Sequence, residues 1–273
     1  MAENLVLTPA WQSDAVFQQT ESVVYDAVND VLLVSNINGA PDEKNQKGYI
    51  SQLSLTGKII KLHWLDGLNA PKGMTISGEN LYVADINELV VINIAQQKIV
   101  QRYQAPNALF LNDVVANENG HVYVSGFLTN SIYRLADGKF TLWLQSDELQ
   151  VPNGLLIENE HLLVASWGVM TDGFATDISG HLKEVDLKTK QIKSHGNTQP
   201  LGNLDGLESD GMGGYLITDW MAGTLMQVSA SGKVATLISV GQGSADHTVL
   251  HKQGLIIIPM MNSDKLFAYN IKK

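Results

Sequence analysis

Short apolar runs recur along the whole chain, and their form is that of strands rather than helices. Six of them, at residues 31–35, 81–85, 121–125, 161–166, 215–219 and 254–259, are rich in β-branched and aromatic residues. Each is too short for a helix and is bounded by turn-forming residues. A shorter apolar run precedes each, at 22–25, 73–76, 113–116, 154–157, 206–208 and 247–250. A third follows, as at 49–53, 89–92, 131–135 and 224–228, and a fourth closes most units, as at 59–64, 140–144 and 234–238. Dividing 273 residues by six gives about 45 per unit, the size of a four-stranded propeller blade.

The last unit supplies only three strands, ending near residue 271, while the first residues supply a strand with no unit of its own. Trp11-Gln-Ser-Asp14 matches Leu144-Gln-Ser-Asp147, which ends a fourth strand. Residues near 5–12 are therefore predicted to be the outer strand of blade six. The expectation is an all-β, six-bladed propeller of four antiparallel strands per blade, one domain over 1–273, closed by its N-terminal strand. Closure of this kind protects sheet edges that would otherwise recruit other strands.

Aligning the units on the residue that opens the innermost strand gives Glu21, Lys72, Asn112, Asn153, Asp205 and Ala245. First strands line a propeller's central tunnel, so these six form a ring around one end of it. Glu21, Asn112, Asn153 and Asp205 make an oxygen-only set with two formal charges, which suits a hard cation such as Ca²⁺. Zinc or copper would ask for His or Cys. Singly, each is an ordinary turn or rim residue; the shared repeat position is what sets them apart. Lys72 places a cation at the blade-two position. It reaches away, pairs with a carboxylate, holds an acidic substrate, or simply caps a turn.

Loops after the second strands emerge on the ring's face. They present Asn36, Ile86, Phe127, Trp167, Trp220 and Met260-Met261, a mostly apolar mouth for a small-molecule substrate. Lys72, Phe127, Trp167, Trp220 and Met260 are its expected substrate contacts. The two longest loops, 36–48 and 167–181, are candidate lids. His247 lies two residues past the ring position, so alternation aims it into the tunnel below. It would pair with Glu208 around a second ion or a water chain, or serve as a hydrogen-bonded tunnel residue.

Composition narrows the chemistry. The chain has no Cys, which excludes disulfides, thiolate metal sites and a thiol nucleophile. Net charge is −10 with no basic stripe, so nucleic acid is not an expected partner. Mean hydropathy is −0.01 and the longest apolar run, near 254–261, is too short to span a membrane. Oligomeric state is not encoded in any of these features. Ala2-Glu3-Asn4 after Met1 would suit a mature exported terminus with an added Met, hence a periplasmic protein; otherwise a soluble cytoplasmic one is expected. No dinucleotide fingerprint, nucleophile elbow or phosphate loop occurs.

The segments LNDVVANENGHVYVS (111–125), VPNGL (151–155) and LDGLESDGMGGYLIT (204–218) resemble the SMP-30/gluconolactonase family, whose relatives include diisopropyl-fluorophosphatase and paraoxonases. The resemblance implies a six-bladed propeller holding a divalent metal through one Glu, Asn residues and one Asp, here Glu21, Asn112, Asn153 and Asp205. It implies hydrolysis of lactones, esters or organophosphates, with Asp205 as base or nucleophile as well as ligand. Glu21 departs from the pattern, because Thr-Glu-Ser-Val replaces the family's common Glu-Gly-Pro turn. The expected function is calcium-dependent hydrolysis of lactone or ester bonds. The alternative is a non-catalytic propeller that binds a ligand or protein, with a structural ion.

Overall fold

The computed structural model describes residues 5–196 and 199–272. The Ala2-Glu3-Asn4 segment, on which the exported-terminus reading rests, lies outside them. Six four-stranded antiparallel sheets follow one another around an axis. Blade one is Thr20–Asp26, Val31–Asn36, Gly48–Ser54 and Ile59–Leu68, and blade two is Pro71–Ser77, Asn80–Asp85, Glu88–Asn93 and Lys98–Gln104. Blade three is Leu111–Ala116, Val122–Gly126, Ser131–Ala136 and Lys139–Gln145. Blade four is Pro152–Glu158, His161–Ser166, Leu182–Asp186 and Ile192–Ser194, and blade five is Leu204–Ser209, Tyr215–Asp219, Thr224–Val228 and Val234–Ser239. Blade six contributes Thr248–Leu250, Leu255–Met260 and Lys265–Lys272, and takes its outer strand from Val6–Gln12. That pairing is antiparallel, from Val6 opposite Lys272 to Gln12 opposite Phe267, as the sequence predicts. No helix among the described residues is long and apolar enough to cross a membrane.

The continuous apolar runs of the second strands have a direct cause: each such strand is buried on both faces. Successive residues feed different cores. Leu32 packs toward blade six, with Ile257 and Leu266, while Leu33 packs toward blade two, with Leu81 and Val83. Leu162 joins Tyr123 and Ile132 of blade three, whereas Leu163 joins Ile217 and Met226 of blade five. Leu216 meets Ile256 and Ile258 of blade six, and Val124 sits with Leu89 of blade two. The hydrophobic core is thus six interblade layers rather than one centre. Outer strands such as Lys98–Gln104 alternate toward solvent and have few fully buried positions.

Five of the six inner strands carry the same irregularity. Thr20 pairs with Asn36 but Val23 with Val34, and the equivalent shift occurs at Pro71/Met74, Leu111/Val114, Pro152/Leu155 and Leu204/Leu207. Three residues on the inner strand oppose two on its partner, the count of a β-bulge, which re-aims a side chain. In three blades the amide freed by the bulge is satisfied by a hydroxyl of the second strand. Ser35 accepts from Ser22 (2.9 Å), Ser125 from Asp113 (2.8 Å) and Thr218 from Gly206 (2.8 Å).

Next to the bulge the inner strands approach very closely. A Cβ added at Gly154 would lie 2.1 Å from the Asp205 carbonyl oxygen and 3.1 Å from the Leu207 nitrogen. Both are backbone atoms and cannot yield without moving a strand. Gly154→Ala is accordingly expected to cost about 1–3 kcal/mol, the range for overpacking a tight interior. A lowered urea midpoint at unchanged slope would show it, and an unchanged midpoint would refute this account of the packing.

Candidate active site

The repeated bulge places Glu21, Lys72, Asn112, Asn153 and Asp205 at one end of the tunnel, where all five line a single cavity of about 470 Å³. Ala245, the sixth position, is buried and offers no functional group. The four oxygen-bearing side chains are all nearly inaccessible. Asn112 Nδ2 donates to Asn153 Oδ1 (2.5 Å), and Asn153 Nδ2 donates to the Leu204 carbonyl (3.1 Å). Glu21 Oε2 is buried with no hydrogen-bond partner.

An orphaned carboxylate oxygen costs about 1–3 kcal/mol, and more when charged. The carboxyls respond accordingly. Burial, then the charges of Asp205 and Asp246, push Glu21 well above the usual carboxylate range, with Lys72 opposing. Burial, then Asp246, push Asp205 up, with the Asn153 hydrogen bond opposing. Two further carboxylates, the buried Asp113 and the half-buried Asp246, stand just behind the ring. Asp113 accepts from the backbone amides of Val114 (2.6 Å) and Leu155 (2.6 Å), and Asp246 accepts from Ser22 Oγ (2.5 Å). Burial drives Asp246 up to about 7. Carboxylate and amide oxygens that converge here, one of them the partnerless Glu21 Oε2, with burial raising both ring carboxyls, have the donor chemistry of a hard-cation site. Among the described residues no group of three His, Asp or Glu side chains is arranged to hold an ion, so any cation site here would have to draw on the amide oxygens of Asn112 and Asn153.

Lys72 does not supply that countercharge at close range. Its Nζ donates to the carbonyls of Pro41 (2.7 Å) and Ala70 (3.0 Å) and lies 4.2 Å from the centre of the Phe110 ring. Burial lowers it to about 8 despite the favourable charge of Glu21. Of the alternatives open in the sequence, the structure has Lys72 reaching away, where it ties the 36–48 loop to the cavity wall through Pro41.

Phe127, Trp167 and Trp220 line the cavity as expected, joined by Phe110, Phe174 and Met261. Phe127 packs edge-on to Trp167 (5.6 Å between centres), and Trp167 also meets Phe174 and Trp220 at 6.2 and 6.1 Å. Met260, expected in the wall, is instead turned into the core between blades five and six with Leu225 and Ile258. Its neighbour Met261, which opens the short 3₁₀ turn Met261–Ser263, lies on the pocket side, where the sulfur accepts from Trp220 Nε1 (3.2 Å). The 167–181 loop folds into its own hairpin, Gly168–Met170 paired with Thr176–Ser179, and its tip delivers Phe174. Phe174 sits mid-loop with no periodicity to reveal it. Asp246 had a usable signal, since it directly follows the blade-six ring position.

Below the ring, Glu208 is partly exposed to the tunnel and is pushed to about 8 by burial and then Asp246. His247 is fully enclosed, and burial lowers it to about 3. Neither of its ring nitrogens has a partner, so no hydrogen bond joins it to Glu208.

The model of a protein family described as the SMP-30/Gluconolactonase/LRE-like region matches residues 19–248. Among solved structures the chain is similar to a gluconolactonase from Xanthomonas campestris, with TM-score 0.74, 14% identity, and coverage of 98% of this chain and 90% of that one. It is also similar to a protein described as a putative gluconolactonase (TM-score 0.68, 14% identity, coverage 100% and 94%). A third similar structure is virginiamycin B lyase from Staphylococcus aureus with quinupristin (TM-score 0.64, 13% identity, coverage 98% and 99%). At these identities the structural likeness establishes the fold alone. No curated protein sequence matches the chain.

The buried carboxyls set a pH dependence whose sign can be stated. A carboxyl raised in the folded state holds a proton that the unfolded chain has already released, so stability falls as pH rises through that window. His247 works oppositely, but only below its ordinary value of 6.5. Between pH 6.5 and 8 the chelated protein is therefore expected to lose thermal stability as Asp246 (about 7) and Glu208 (about 8) ionise. A millimolar divalent cation should raise Tm more at pH 8 than at pH 6.5. Melting curves with and without chelator measure both effects, and a Tm flat across that range would contradict the electrostatics described.

Proposed function

Since the chain belongs to the SMP-30/gluconolactonase/LRE-like family, we propose that it is a divalent-metal-dependent hydrolase, with Ca²⁺ the preferred ion and lactones or carboxylic esters the substrates. The observation that carries this reading is the meeting of Glu21, Asn112, Asn153 and Asp205 at the floor of one aromatic-walled cavity. A cation held by those four side chains would supply Lewis-acid polarisation of the scissile carbonyl and countercharge for the oxyanion. Glu21 is the natural anchor, because its Oε2 has no other partner. Asn112 and Asn153 contribute neutral oxygens, which limits the negative charge the floor must carry.

Asp205 is the assigned reactive group. It either takes a proton from the attacking water or adds directly to the carbonyl carbon. In the first route the water oxygen bonds to carbon, the ring or ester C–O bond breaks, and the proton held by Asp205 passes to the leaving oxygen. In the second an Asp205 oxygen bonds to the carbonyl carbon as the ring or ester C–O bond breaks, the leaving oxygen takes a proton from water, and the hydroxide so formed cleaves the acyl–Asp205 anhydride to release the acid and restore the carboxylate. The hydrogen bond from Asn153 favours the carboxylate form, opposing the effect of burial. Phe110, Phe127 and Trp167 exclude bulk water from the reacting carbonyl, which strengthens every polar interaction at the floor.

Chelation is expected to abolish hydrolysis of a lactone and aryl-ester panel and Ca²⁺ to restore it. Asp205→Asn should lower kcat at least about 100-fold, on the scale of losing a general base, while calorimetry still detects bound cation. Cation binding without turnover of any panel member would favour the alternative, a binding propeller with a structural ion.

A further inference from the structure

The cavity's polarity is sharply divided. Its floor is the carboxylate and amide set, but the wall contributed by blades three to five consists of Phe110, Phe127, Trp167, Phe174 and Trp220. The polar atoms within that wall are already committed. Trp167 Nε1 donates to the Phe174 carbonyl (3.0 Å) and Trp220 Nε1 to the Met261 sulfur (3.2 Å). The Lys72 ammonium is held by the Pro41 and Ala70 carbonyls. On the opposite side, Asn262 Nδ2 donates to the Gln242 carbonyl (3.2 Å), and Asp264 accepts from the Gln19 amide (2.6 Å). A polyhydroxylated ring entering this space would leave hydroxyls facing aromatic carbon without partners.

The apolar wall also reaches the surface. Phe174 lines the cavity yet is 47% exposed. Leu109, Leu128 and Met221, the chain neighbours of Phe110, Phe127 and Trp220, are exposed at 62%, 42% and 40%. Exposed apolar side chains are common singly, but here three adjoin residues of one cavity wall.

Resting on the hydrolase reading above, we propose that the substrate is a lactone or ester with an apolar alkyl or aryl substituent. Its carbonyl meets the Glu21/Asp205 floor, and its substituent lies along Phe127, Trp167, Phe174 and Trp220 toward the mouth. Sugar lactones are disfavoured on that side, because Phe127 and Phe174 carry no polar side-chain atom and the Trp167 and Trp220 N–H groups are already used.

The test is a series of γ-lactones bearing methyl to hexyl substituents, together with glucono-δ-lactone, all with Ca²⁺ present. Binding of the matching γ-lactams, which resist hydrolysis, is measured in parallel by tryptophan fluorescence. Burial predicts a gain in kcat/KM of about three- to fourfold per methylene, with lactam affinity rising in step. Phe174→Ser should flatten the chain-length slope. A flat series with glucono-δ-lactone the best substrate overturns this proposal and leaves the hydrolase reading intact. Chain-length-dependent lactam binding without turnover of any lactone or of the aryl esters above supports the apolar site and overturns the hydrolase reading. Absence of both overturns both.

Discussion

Everything in this molecule depends on strands that must be covered on both faces. The second strand of each blade sends alternate residues into two different interblade layers, as Leu32 and Leu33 do in blade one. A blade alone would therefore leave two apolar faces wet, and an open row of six would leave one at each end. Only a closed ring satisfies all of them, and Val6–Gln12 completes that ring by joining blade six. The tunnel is a geometric consequence of this closure, and so is the convergence of six equivalent positions at its end.

Convergence is electrostatically costly, and the cost shapes the site. Any charged side chain at the ring meets its counterparts from the other blades in a space with little water. Glu21 and Asp205 share it with Asp113 and Asp246 just behind, and all four are driven toward protonation. Among the described residues the nearby ammonium, that of Lys72, is committed to backbone carbonyls and an aromatic face. The same closure that stabilises the fold leaves a deficit of positive charge at its centre, which is where catalytic chemistry is assigned.

The fold was legible because its cause is local and repeated. Short apolar runs at a near-constant period, and the WQSD/LQSD match, suffice to place the blades and the closing strand. The ring was legible for the same reason, since a repeat position is a spatial position in a propeller. The wall was legible only in part. Phe127, Trp167 and Trp220 follow second strands and could be placed, but Met260 and Met261 differ by one residue, and one residue at the end of the strand separates core from cavity. Phe174 and Pro41 lie on long loops, where no period constrains direction. The hydroxyl that satisfies the bulge in three blades, at Ser35, Ser125 and Thr218, repeats at the end of the second-strand pattern and is visible there in the sequence.

The closing pair has a consequence for how such a chain is made. Val6–Gln12 is synthesised well before its hydrogen-bonding partner, Lys265–Lys272. The backbone amide of Leu5 likewise bonds to the Gln227 side chain of blade five (3.0 Å), another late arrival. Until residues 265–272 are made the closing strand has no mate, and the faces of blades one and six that will meet stay apart. Ring completion therefore waits for blade six, and until then the unpaired closing strand is open to capture by a neighbouring chain.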